Sequence, residues 1–135
     1  MKRRQALKIS SIATIGLTAT VHGGCSKNNI LFNHGVASGD PLAERIILWT
    51  RVTPSKPGPV KVNLEISSDQ NFTSIAFAKV LSTSSLVDYT IKYDFFIKNI
   101  FKSGETFFYR FNASGSVSET GKTKTLAADV KKIKR

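Results

Sequence analysis

FNHGVASGDPLAERIILWTRVTP, Phe32 to Pro54, is the stretch that decides the fold. Ser38-Gly39-Asp40-Pro41 within it is a turn by its chemistry: glycine tolerates positive φ, proline presets φ, and an Asp before proline hydrogen-bonds its own backbone in an Asx-type turn. Ile46 to Val52 follows as a run of β-branched, aliphatic and aromatic residues, the composition of a strand. A turn feeding such a strand predicts β-structure, and the rest of the chain is to be read for partners.

Outward from this stretch, strands are predicted over Asn33 to Ala37, Ile46 to Val52, Val60 to Ser67, Ile75 to Leu81, Thr90 to Ile97, Phe107 to Ala113 and Ser118 to Thr125. Alternation is clearest at Val60, Val62, Leu64 and Ile66, with Lys61, Asn63 and Glu65 between them free to face water. Phe107, Tyr109 and Phe111 repeat it against Phe108 and Arg110. Turns fall at Pro54 to Pro59, Ser68-Asp69, Ser103-Gly104 and Ala113 to Ser116. No 3.6-residue stripe runs far enough for a helix outside the N-terminal segment. Seven short strands with regular turns predict an all-β, antiparallel β-sandwich.

Several ordered pieces between Phe32 and Leu126 resemble the alkaline phosphatase D family: HGVASGDP at His34 to Pro41, RIILWTRV at Arg45 to Val52, DYTIKYDFFIKNIFKSGETFFYRF at Asp88 to Phe111, and GKTKTLA at Gly121 to Ala127. The resemblance implies a sandwich of fibronectin type III or immunoglobulin kind, which in the family precedes a metallophosphoesterase domain. Ser103 stands where the family tends to have Pro, and Phe107 where it tends to have the first Tyr. If that Tyr is the corner tyrosine of such sandwiches, its loss implies a weaker corner and the same fold. In fibronectin type III domains a Trp in the second strand is the core centrepiece, so Trp49 is expected to be packed inside. Phe95, Phe96, Phe107 and Phe108 are expected to build core before they build a stacking platform.

A binuclear phosphoesterase site needs several carboxylate, His and Asn ligands around two metal ions. The chain has two histidines and nine acidic residues; the acidic residues are scattered singly, and there is no GD-x-x-x-D, GNH, CxxC, HExxH or GxxxxGK pattern. His34 and Asp40 share a loop without a nucleophile, and local hydrogen bonding is their expected role. No catalytic, cofactor-binding or metal-binding residue is expected in this chain; the resemblance implies Ca or Fe only in full-length members.

Composition bounds the remaining readings. With 135 residues and 41% hydrophobic content the chain suffices for one globular domain. Of the formal charge of +11, +4 comes from Lys2, Arg3, Arg4 and Lys8, and +3 from Asp129 to Arg135, which leaves +4 spread between. That spread argues a solvated face, so no nucleic-acid partner is expected.

Residues 1–25 read as an export signal. Basic residues through Lys8 precede Ile9 to Val21, a 13-residue apolar and small stretch, shorter than the ~20 residues that span a bilayer. KRRQALK resembles the twin-arginine consensus, with Arg3 and Arg4 as its arginines; an ordinary secretory signal is the other reading. Cys25, the sole cysteine, closes VHGGC, which resembles a lipoprotein cleavage site although His22 departs from it. Lipidation of Cys25 and a free thiol both stand. Any membrane attachment is expected through the signal or that lipid.

The expected organisation is thus export signal 1–25, polar tether 26–31, sandwich 32–127 and basic tail 128–135. The expected function is the non-catalytic N-terminal domain of an exported, periplasmic or extracellular, alkaline phosphatase D-type hydrolase, in a truncated form or partnered by a separate metallophosphoesterase domain or subunit. The alternative is a free-standing secreted or lipid-anchored sandwich that binds a ligand.

Overall fold

The computed structural model describes residues 27–128. Arg3, Arg4 and Cys25, and with them the export and lipidation readings, lie outside the described residues, as do residues 129–135 of the basic tail.

Among the described residues ten strands follow one another: β1 Ile30–Leu31, β2 Val36–Gly39, β3 Arg45–Arg51, β4 Thr53–Pro54, β5 Val60–Ser67, β6 Phe77–Thr83, β7 Thr90–Phe96, β8 Thr106–Ala113, β9 Ser116–Val117 and β10 Gly121–Lys124. A 3-10 turn, Ser85–Val87, joins β6 to β7. All pairings are antiparallel. One sheet runs β10-β8-β5-β6 with β9 on β8, a second runs β2-β3-β7, and β1 pairs β4. The expected antiparallel sandwich is what forms, with three two-residue strands beyond the seven expected.

The core lies between the two larger sheets. From one side come Val60, Val62, Leu64, Ile66, Phe107, Tyr109 and Phe111; from the other, Ile46, Leu48, Ile91 and Phe95. Alternation is complete in β8, where Phe107, Tyr109, Phe111 and Ala113 are buried. Aromatic rings then tie the layers: Phe107 stacks on Phe101 at 5.0 Å and meets Phe95 edge-on at 5.5 Å. Such pairs add about 0.5–1.5 kcal/mol beyond their burial.

Several sequence expectations change: the first expected strand, Asn33 to Ala37, shifts to Val36–Gly39 and takes in Ser38 and Gly39 of the expected turn, and the last, Ser118 to Thr125, narrows to Gly121–Lys124. Trp49 is not in the core: Ile46, Leu48 and Thr50 point inward, which places Trp49 half-buried on the outer face, beside Ala37 and Lys92. The reason is the period of two in a strand, which cannot bring neighbours to one face. Residues 26–31 are not only a tether, because Ile30 is buried in the core and pairs with Pro54, while Asn29 donates to the Ser55 side chain at 2.9 Å. The sixth element begins at Phe77 rather than Ile75 and runs to Thr83, whose hydroxyl donates to the Thr90 carbonyl at 2.7 Å.

The two sheets also meet at an edge. Ser38 of β2 donates to the Thr123 hydroxyl of β10 at 2.8 Å. Just beyond, the Leu126 amide donates to the Leu42 carbonyl at 3.0 Å, so the end of the matched sequence pieces is held against the β2–β3 connection.

Candidate functional site

His34 and Asp40 sit at opposite ends of β2, His34 in the turn before it and Asp40 just after it, so no acid/base pair forms between them. Asp40 adopts φ 49, a left-handed conformation that Asp tolerates better than most residues.

His34 instead joins Arg51 and Asp88. Arg51, the last residue of β3, donates from Nη2 to Asp88 Oδ1 at 2.8 Å and from Nε to Asp88 Oδ2 at 3.0 Å, with the Asp88 carbonyl 3.1 Å from Nε. Its Nη1 lies 2.6 Å from His34 Nε2. A guanidinium only donates, so Nε2 accepts and the imidazole proton resides on Nδ1. Hydrogen bonding to Asp88 raises the Arg51 pKa, and hydrogen bonding to Arg51 lowers that of Asp88.

The chemical consequence is restrictive. Asp88 and Tyr89 both hold positive φ, 52 and 55, and the two-pronged Arg51–carboxylate pair fixes that turn against the end of β3. All three nitrogens of Arg51 are engaged, so this guanidinium acts as a clamp on its own chain. A shallow hollow of about 360 Å³ lies beside it, lined by Pro54, Ser55, Lys56, Pro57 and Tyr89 among others. The Ser55 hydroxyl donates to Asn28 Oδ1 at 3.1 Å and accepts from the Asn29 amide, which leaves it no base to activate it.

The cluster was not legible as such. His34 drew notice through its motif, but Arg51 and Asp88 stand 17 and 54 positions from it, and only the strand order brings them together.

A second polar knot surrounds Asp69 in the turn after β5. Its carboxylate accepts from the amides of Asn71 and Thr73 and from the Thr73 and Ser67 hydroxyls, all within 3.2 Å. The Thr73 amide is the main cause that holds its pKa down at about 2. This is loop architecture: every oxygen is occupied by a donor from the same turn.

The Ca or Fe implied for full-length members of the resembled family has no fitting donor set here. Among the described residues no three His, Cys, Asp or Glu side chains converge. Nor, among them, is any helix long and apolar enough to cross a membrane.

The two outer faces of the sandwich differ. That of the larger sheet carries Lys61, Glu65, Arg110, Lys122 and Lys124, with Arg110 Nε bonded to Glu65 at 2.8 Å. That of the β2-β3-β7 sheet carries Ala37, Gly39, Ile47, Trp49 and Phe96, crossed by the Arg45–Asp94 pair at 2.7 Å. Of the stacking candidates, Phe95 and Phe107 are core, Phe108 lies under Lys122, and Phe96 is on this second face.

The family described as PhoD-like phosphatase, N-terminal domain, matches residues 18–127. Alkaline phosphatase D of Bacillus subtilis (strain 168) is 30% identical over 104 residues, covering 72% of this chain and 17% of that protein. The solved structure of PhoD superimposes with a TM-score of 0.65 at 30% identity, over 72% of this chain and 19% of that one. The sensor domain of the anti-sigma factor RsgI4 in Pseudobacteroides cellulosolvens shares the fold alone, with a TM-score of 0.52 and 17% identity over 76% of this chain and 98% of its own. The chain therefore spans about a fifth of the length of the phosphatase relatives it matches.

Proposed function

The chain belongs to the PhoD-like phosphatase N-terminal domain family, and from that premise we propose that it is the non-catalytic N-terminal module of an exported alkaline phosphatase D-type phosphoesterase. The observation that carries the reading is the extent of the match: it covers most of this chain and only 17% of the Bacillus subtilis enzyme. Metal-dependent phosphate ester hydrolysis then belongs to the polypeptide that follows the module in such enzymes. The module contributes packing and shape, for which a sandwich with two extended faces suffices.

The arrangement of polar groups supports this division. Arg51 is committed to Asp88 and His34, Asp69 to its own loop, and no metal-ligating group of three is present among the described residues. The export signal and the truncated or two-subunit arrangement belong to the same proposal, with Arg3 and Arg4 directing export and Cys25 as the lipid-accepting residue.

One observation favours a second reading, the free-standing binding module. Trp49 lies on an outer face rather than in the core, where an indole can serve a ligand. A chimera separates the two. In Bacillus subtilis alkaline phosphatase D, residues 27–127 of this chain replace the matching N-terminal region. The chimera is expected to hydrolyse a chromogenic phosphate ester, and the 135-residue chain alone, with Ca²⁺, Fe³⁺ or Zn²⁺ supplied, is expected not to. Chelator-sensitive turnover by the chain alone, or a folded chimera without activity, overturns the module reading.

A further inference from the structure

The family match ends at residue 127, and in an N-terminal domain the rest of the enzyme leaves from that end. Here the end has a definite place. Thr125 is buried, its hydroxyl accepting from the Gly104 amide at 3.0 Å, and Leu126 is bonded to Leu42 in the β2–β3 connection. The following polypeptide therefore departs beside the β2-β3-β7 sheet.

At that point the surface is apolar without cover. Leu42 is 42% exposed, Leu126 45% and Phe96 57%. Leu42 and Phe96 line one open hollow of about 360 Å³ with Ala43, Glu44 and Arg45. Beyond Phe96 the outer face carries the half-buried Ile47 and Trp49, with the small Gly39 and Ala37 beside them on β2 and Asp94 and Lys92 beside them on β7; the Arg45–Asp94 pair lies between Phe96 and Ile47. The outer face of the larger sheet carries lysines and the Glu65–Arg110 pair, with Val80 and Val117 as exposed apolar residues far from Leu42 in the sheet order.

We propose that the outer face of the β2-β3-β7 sheet, from Leu42 and Phe96 to Trp49, is the docking surface for the phosphoesterase portion that follows this domain in the family. The inference rests on the module reading above and adds the face.

Size is consistent with it. Two strands of seven residues and one of four cover roughly 285 Å², at ~3.3 Å per residue and ~4.8 Å per strand. Counting both partners, that is roughly 570 Å², close to the lower end of the ~600–1,500 Å² of interdomain contacts. The Arg45–Asp94 pair in its middle suits such contacts, which are more polar than permanent subunit interfaces. The exposed Leu86 and Val80 lie on the β6 side, away from the chain exit, and are left outside the interface.

Thiol labelling tests the face. In a Cys25→Ser background, Phe96→Cys and Lys92→Cys probe it, while Lys61→Cys and Leu86→Cys probe the surface outside it. Each is labelled with N-ethylmaleimide in the 135-residue chain and in the chimera. The face positions are expected to label at least ~10-fold more slowly in the chimera, because reaction then requires local opening, and the control positions at unchanged rates. Equal rates at Phe96→Cys and Lys92→Cys in an active chimera overturn the docking face and leave the module reading standing; a folded but inactive chimera counts against the module reading itself. If the chimera does not fold, cysteines at the aligned positions of the intact Bacillus subtilis enzyme are labelled in its place, and fast reaction there overturns the face.

Discussion

The side chain of Tyr109 fills the space over Gly121, its cross-strand partner, where a Cβ atom would stand. Ring atoms and hydroxyl alike would meet such an atom too closely, so the glycine on the edge strand β10 is what lets a buried tyrosine close that edge. Burial raises the pKa of the Tyr109 hydroxyl, with the nearby Ser38 hydroxyl opposing the rise.

Gly121→Ala is therefore expected to destabilise the domain by about 1–3 kcal/mol, the usual cost of overpacking. Gly39→Ala is the control, because nothing lies within 4 Å of its added methyl and its φ is not in the left-handed region. Its effect is expected to be neutral or stabilising by up to about 1 kcal/mol through the unfolded chain. Urea midpoints of the two variants give the comparison, and equal midpoints would contradict the packing account.

Leu48 and Trp49 are neighbours on opposite faces of β3. Leu48→Ala removes a fully buried side chain and is expected to cost about 2–5 kcal/mol. Trp49→Ala is expected to cost markedly less, on the order of 1 kcal/mol, because only part of the indole leaves an apolar environment. His34→Ala, which removes an exposed acceptor from Arg51, is expected to stay near wild type. Thermal or urea melts of the three variants rank them, and a Trp49→Ala variant that loses its fold would return the indole to the core.

Asp69 gives the Ser67–Thr73 turn a pH dependence. Its folded pKa is about 2, against an unfolded value of ~3.9. Because the folded value is the lower one, the stabilising contribution is complete above about pH 4 and is lost as the pH falls through about 2. Hydrogen exchange at the Thr73 amide, referenced to exchange in the unfolded chain, is expected to show protection falling across that window. Asp69→Asn should flatten the profile; an unchanged one would assign the effect to another group.

Replacing Arg3 and Arg4 together by Lys is expected to block export, since the twin-arginine route reads the arginines themselves while a general secretory signal needs only positive charge. Fractionation of cells producing the variant decides it. Normal delivery of the Lys-Lys protein would assign the ordinary route.

The β5 strand shows what a sequence can settle alone. Val60, Val62, Leu64 and Ile66 alternate with Lys61, Asn63 and Glu65, so both the element and its buried face follow from a single pattern, and the strand runs over Val60–Ser67 as read. β8 is equally legible. The turn at Ser68-Asp69 is legible too, because Asp constrains the backbone locally, whereas Ser38 and Gly39 of the turn expected at Ser38 to Pro41 are strand residues of β2. The family was carried by the same local pieces.

Tertiary structure decided whatever depends on phase or on distance along the chain. In Ile46-Ile47-Leu48-Trp49-Thr50 both alternating sets are largely apolar, so the pattern cannot say which faces inward; pairing with Ile91, Tyr93 and Phe95 buries Ile46, Leu48 and Thr50 and leaves Trp49 outside. Ile30 is core only because β4 passes beside it, and the Arg51–His34–Asp88 clamp exists only because strand order joins positions 34, 51 and 88. A strand fixes directions within two residues of itself, but which side meets a partner is set by the second sheet. The sequence accordingly determined the sandwich and the family of this protein, while the outward face, the clamp and the place where the chain leaves the domain followed from how the two sheets pack.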